Sequence, residues 1–163
     1  MKHTINLLVE NNVGSLLRIA GMFSGRGFNI DSISVGASEE EGLSRMTIVT
    51  HGDDEIIEQI NKQLNKCINV VKVFDLTGEA FVHRELALIK VQATPVERSE
   101  IMQIVEVFRA KIIDLSPTAL TVEATGTEDK ISAIISMLQP FGLKAVSRTG
   151  RIALKREFQG VTV

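Results

Sequence analysis

Along this chain the period of the apolar residues switches from two to about 3.6 and back, and the whole order of switches occurs twice. Ile5, Leu7 and Val9 alternate with Thr4, Asn6 and Leu8, the pattern of a strand. From Ser15, Leu16, Ile19, Ala20 and Phe23 fall on one helical face, and Gly25 and Gly27 end that helix. Alternation returns from Asn29 to Val35. Ser38 to Gly42 reads as a polar hairpin loop, and Leu43 to His51 as the next strand. Asp53 and Asp54 suit the positive start of a second helix, which buries Ile56, Ile57, Ile60 and Leu64. Asn69 to Leu76 closes a β-α-β-β-α-β unit.

After Thr77-Gly78-Glu79, a short linker, the order repeats. Glu85 to Ala93 is a strand, and Thr94-Pro95-Val96-Glu97 has the form of a capping box with Pro at the first helical position. Ile101, Ile104, Val105 and Phe108 form the helical stripe. Strands follow at Ile112 to Leu115 and Leu120 to Ala124, about a turn at Ser116-Pro117-Thr118. Thr127 is placed to cap a helix that Pro140 stops, and Leu143 to Val146 is the last strand; the residues from Arg151 on show no period. The expectation is an α+β protein of two tandem ferredoxin-like domains, residues 1–77 and 80–163. Each domain leaves one sheet face bare of helices. Because Leu8 is apolar on that face, burial of the face or a sheet edge by a second copy is expected.

Composition narrows the function. A chain of 163 residues with 44% hydrophobic and 23% charged residues builds an ordinary core, which excludes disorder as its main state. A net charge of −2 and a pI near 5.9 give no basic surplus for nucleic acid. Gly25-Arg26-Gly27 fails as a dinucleotide fingerprint, because it ends a helix and Ile30 stands where the third Gly belongs. Arg26-Gly27-Phe28 begins like an RNA-recognition consensus, but Asn29-Ile30-Asp31 lacks the aromatic residues that stack bases. Cys67 stands alone, and His3, His51 and His83 are too scattered for a metal site. No nucleophile motif occurs, so neither a catalytic residue nor a metal ligand is assigned. No run approaches the ~18 apolar residues of a membrane span, and the start of the chain does not read as a signal peptide; a cytoplasmic location is expected.

One stretch has the chemistry of a binding site. Glu10 to Leu16 leads from the first strand into a helix, whose first N–H groups lack internal partners and favour an anion. Gly14 permits close backbone approach, and Asn11 offers both a donor and an acceptor. A free α-amino acid needs such a set, with an apolar wall. Asn29 and Ile30, read as part of the second strand, can add an amide and that wall. The alternative is that Asn11 and Gly14 only shape a turn.

Glu10-Asn11-Asn12-Val13-Gly14 with Leu17-Arg18, Arg26 to Ile30 and Leu43-Ser44-Arg45-Met46-Thr47 make the first unit similar to an ACT domain. With Arg84 to Val91 and Phe108 to Asp114, the whole chain resembles the small regulatory subunit of acetohydroxyacid synthase (acetolactate synthase). The resemblance implies a non-catalytic chain that activates a large catalytic subunit and confers feedback inhibition by a branched-chain amino acid, typically L-valine. It implies thiamine diphosphate, Mg²⁺ and FAD on that partner and none here. It also implies a homodimer through the ACT domains, with Asn11, Gly14, Ser15 and Leu16 of one chain facing Asn29 and Ile30 of the other. Ser15 is often Ala in the family, which bears on effector preference. The competing reading is a free-standing ACT-domain amino-acid sensor acting on another protein.

Overall fold

The computed structural model describes residues 1–157. Contacts divide the chain into two units, Met1–Val82 with the residues from Arg151 on, and His83–Gly150. The sequence-expected division at 77/80 therefore moves by a few residues, and the segment after Gly150 joins the first unit instead of the second. Residues 158–163 of the expected second domain lie outside the described residues.

The first unit contains strands β1 (Lys2–Glu10), β2 (Ser32–Ala37), β3 (Leu43–His51) and β4 (Val70–Asp75), with helices α1 (Ser15–Gly25) and α2 (Asp54–Lys66). The sheet order is β2-β3-β1-β4, antiparallel throughout. Ile5 pairs with Ile48 and Leu7 with Met46, so both couples point to one face, where Ile19, Phe23, Ile57, Ile60 and Leu64 of the helices meet them. Asp53 caps α2 as expected, its carboxylate accepting from the Ile56 N–H at 2.9 Å. His3 is buried at the start of β1, with Nδ1 3.0 Å from Thr77 Oγ1 and Nε2 3.2 Å from the Gly52 carbonyl.

Two local expectations change. Asn29 and Ile30 precede β2, which starts at Ser32. The chain leaves α1 through Gly27 at φ +70°, with Phe28 N–H returning to the Phe23 carbonyl, and spends residues 28–31 crossing to the sheet. Within the stretch after Arg151, Ile152–Lys155 form a strand, β9. And this segment lies on the helix-free face of the first sheet. Asn6 Nδ2 donates to the Ala153 carbonyl at 2.6 Å, and Arg151 Nη1 donates to Thr4 Oγ1 at 2.7 Å.

The second unit holds most of β5 (Phe81–Gln92), with α3 (Arg98–Val107), β6 (Lys111–Leu115), β7 (Ala119–Gly126), α4 (Glu128–Leu138) and β8 (Leu143–Arg148). Its sheet runs β6-β7-β5-β8, the same order by position as the first. Ala87, Ile89, Val91, Leu120 and Val122 face Ile101, Val105, Ile131, Ile134 and Leu138. The capping box is half made: Thr94 N–H and Oγ1 both donate to Glu97 Oε2, at 3.2 and 2.7 Å. A turn intervenes before α3 begins at Arg98, so Pro95 lies ahead of the helix. Thr127 occupies the cap position of α4, yet its side chain makes no cap bond; Glu128 and Asp129 supply the first-turn charge instead.

Candidate functional site

The turn between β1 and α1 follows from a few local bonds. Asn11 N–H donates to the Gly42 carbonyl at 2.8 Å, tying the loop to the β2–β3 hairpin. Glu10 is occupied by amides, accepting from Asn12 Nδ2 at 2.8 Å and Asn69 Nδ2 at 3.3 Å. Gly14 then takes φ +90°, a left-handed conformation that side chains disfavour, and a Cβ there would meet nothing within 4 Å. The space above Gly14 is open, and its backbone is accessible.

The start of α1 differs from the other helix starts. It has no side-chain cap and no acidic residue in its first turn. By contrast α2 has Asp53, Asp54 and Glu55, α3 has Glu100, and α4 has Glu128 and Asp129. The positive end of α1 is thus left without a carboxylate, the arrangement that suits an incoming anion. Ser15 is 5% exposed, and its Oγ has no hydrogen-bond partner among the described residues. A buried hydroxyl costs free energy unless something bonds it. Asn11 is exposed and its side chain bonds nothing among the described residues, while Leu16 presents a half-exposed apolar side chain beside it.

Asn29 and Ile30 lie elsewhere in the same unit. Thr50 Oγ1 donates to the Asn29 carbonyl at 2.6 Å, which fixes Asn29 near the C-terminal end of β3. Asn11, by contrast, follows Glu10, the partner of Leu43 at the other end of β3. From Leu43 to Thr50 is seven residues of strand, roughly 24 Å at ~3.4 Å each. One chain therefore brings Asn11, Gly14, Ser15 and Leu16 together, and holds Asn29 and Ile30 at the opposite end of its sheet. Ile30 is half-buried against the first core, so only part of it can serve as a wall.

Sequence reasoning passed over the residues that hold Asn29. Asn29 Nδ2 donates to Asp31 Oδ1 at 2.9 Å, and the other oxygen of Asp31 pairs with His51 Nδ1. The Asn-x-Asp spacing was the available signal. His51 could not be connected to it without knowing the β2–β3 pairing. Among the described residues no group of three His, Cys, Asp or Glu is placed to hold a metal ion, and no helix is long and apolar enough to cross a membrane.

Comparison with known proteins gives this geometry a family. Residues 5–72 match the model of the AHAS small subunit-like ACT domain, and residues 84–157 match that of the small subunit of acetolactate synthase. The chain belongs to the acetolactate synthase small-subunit family. It is 50% identical over 159 residues to the acetolactate synthase small subunit of Mycobacterium bovis, covering 98% of this chain and 95% of that one. Against the small subunit of Aquifex aeolicus the identity is 51% over 158 residues, covering 96% and 82%. The crystal structure of the acetolactate synthase small subunit from Thermotoga maritima superposes with a TM-score of 0.88 at 44% identity, covering 96% of this chain and 98% of that one. Both expected features of the fold, two ferredoxin-like units and an N-terminal ACT domain, hold. Membership in a regulatory-subunit family also implies a catalytic large subunit as partner.

Proposed function

We propose that this chain binds a branched-chain amino acid, L-valine first, at a site shared by two copies, and thereby sets the activity of its catalytic subunit. The observation that carries the reading is the start of α1: an uncapped, carboxylate-free helix end with an open Gly14, the buried Ser15 hydroxyl and the exposed Asn11 amide. The helix end and Gly14 receive the effector's carboxylate, and the Asn amides and Leu16 fit its ammonium and side chain. In this reading thiamine diphosphate, Mg²⁺ and FAD belong to the catalytic subunit, and this chain acts in the cytoplasm without touching the reacting atoms.

The separation of the two half-sites supports a shared site. β2 is an edge strand of sequence Ser-Ile-Ser-Val-Gly-Ala, with neither Lys nor Pro to block pairing and with Val35 48% exposed. Two β2 strands paired antiparallel about a two-fold axis would lay the Ser32 end of one against the Ala37 end of the other. Asn29 of one copy then approaches the hairpin that holds Asn11 of the other. Binding shifts activity only through its preference for one state of the assembly, and a coupling of ~1–3 kcal/mol is typical of such effectors.

The test pairs Gly14→Asp with Gly14→Asn. Both residues tolerate the left-handed backbone comparatively well, so they differ mainly in charge. With the catalytic subunit present, Gly14→Asp is expected to abolish the response to L-valine while activation persists, and Gly14→Asn to retain part of it. An unchanged L-valine response in Gly14→Asp would show the site to be elsewhere. A chain that binds L-valine yet never alters the catalytic subunit would favour the free-standing sensor.

A further inference from the structure

Asn29 is the residue whose amide direction decides which end of an amino acid it can read. Its backbone is pinned by Thr50 Oγ1, and its side chain by Asp31. Asp31 is pinned in turn: its N–H donates to the Val49 carbonyl at 2.8 Å, and its second carboxylate oxygen pairs with His51. An ionised carboxylate can only accept, so the amide nitrogen of Asn29 must turn toward it. That leaves Asn29 Oδ1 free to accept, with a negative charge two residues away. Such an oxygen suits a cation and disfavours a carboxylate.

We propose that Asp31 is a positioning residue which, braced by His51, fixes the Asn29 amide so that its oxygen receives the effector's ammonium. This rests on the effector reading above and gives the bound amino acid a direction: carboxylate at the α1 end of one copy, ammonium at the Asn29 end of the other. The two ends of the ligand are then read by opposite charge arrangements, a carboxylate-free helix start and an aspartate-backed amide. A decarboxylated or an N-acetylated analogue would each lose one of them.

Calorimetric titration of the full chain with L-valine tests this, with D-valine as control and unfolding midpoints recorded for each variant. Asp31→Ala is expected to weaken L-valine by ~10-fold or more, the scale of losing a charge-assisted hydrogen bond. Asp31→Asn can still accept from Asn29 but is neutral and can also donate, so it no longer dictates the direction of the amide, and an intermediate loss of roughly 3- to 10-fold is expected. Adding Asp31→Ala to Asn29→Ala is expected to cost nothing further, because Asp31 acts through Asn29. Equal binding by the native and Asp31→Ala chains overturns the role of Asp31 and leaves the effector reading standing. Additive losses in the double variant overturn it too. If the native chain shows no L-valine binding, alone or with the catalytic subunit, the effector reading falls and the role of Asp31 falls with it.

Discussion

The two units share one strand order and one way of packing helices on a sheet, yet they treat the other sheet face differently. In the second unit β5 alternates cleanly. Ala87, Ile89 and Val91 are fully buried, Lys90 and Gln92 are exposed, and Leu88 is 36% exposed. In the first unit β1 buries both sets, Ile5, Leu7 and Val9 toward the helices and Thr4, Asn6 and Leu8 on the far side. That far side carries polar atoms, and they are satisfied in a chain. Glu39 Oε1 accepts from Arg45 Nη2 at 2.7 Å, Arg45 Nη1 donates to Asn6 Oδ1 at 3.1 Å, and Asn6 donates onward to the Ala153 carbonyl. A sheet face need not be apolar to be buried, provided each polar group on it finds a partner. The hairpin that begins this chain also holds Asn11, so the candidate site and the returning β9 segment lie on one connected set of bonds.

The largest way to break the comparison is in the second unit. Glu85 is buried and bonded through both carboxylate oxygens to Arg148, with Nη2 to Oε2 at 3.0 Å. Donating hydrogen bonds to Glu85 holds the Arg148 guanidinium above its already high range. A raised cation contributes its stability at every pH below that range, so this half of the pair never switches off near neutrality. Arg148→Ala strands a buried carboxylate and is expected to cost about 3 kcal/mol in urea denaturation. L-valine titration should be unmoved at temperatures where the variant stays folded.

Asn6→Ala comes next. It leaves the Ala153 carbonyl and part of the Arg45 guanidinium without their partner, at about 2 kcal/mol. Limited proteolysis after Gly150 should accelerate in this variant and not in Arg148→Ala. Asp53→Ala removes one helix cap in the first unit, and a loss of ~1 kcal/mol in the same denaturation experiment is expected. The smallest effect concerns Glu39, whose carboxyl is held below its ordinary range first by a backbone hydrogen bond and then by Arg45. A lowered carboxyl contributes stability above its unfolded pKa and loses it as pH falls through the folded one. Arg45→Gln should therefore raise the Glu39 midpoint in an NMR titration, though only part of the way, because the backbone bond persists.

Most of the fold was legible because it is written in local periods. The stripes Ile19–Phe23 and Ile101–Val105 and the alternation of Ile89 and Val91 each need only a few neighbouring residues to be read, although Leu16, placed on the first stripe, is half-exposed. The open turn between β1 and α1 was legible for the same reason, since Asn11 and Gly14 lie close together and a helix start has fixed chemistry, whereas Ser15 entered only through the family resemblance. Three things were not. β2 begins after Asn29 and Ile30, because the exit from α1 through Gly27 uses up the residues that alternation assigned to a strand. β9 has too few residues to show a period, and it is a strand because it pairs with β5. The bracing of Asn29 by Asp31 and His51 depends on a pairing across twenty residues of chain.

The amino-acid sequence by itself thus determined two β-α-β-β-α-β units and a glycine turn leading into the first helix, since period and turn chemistry are properties of neighbours. Only the tertiary structure decided what covers the first sheet and which way Asn29 points, and that it holds Asn11 and Asn29 at opposite ends of one sheet. Those are distances between residues remote in sequence, fixed by strand register, and no local pattern encodes them.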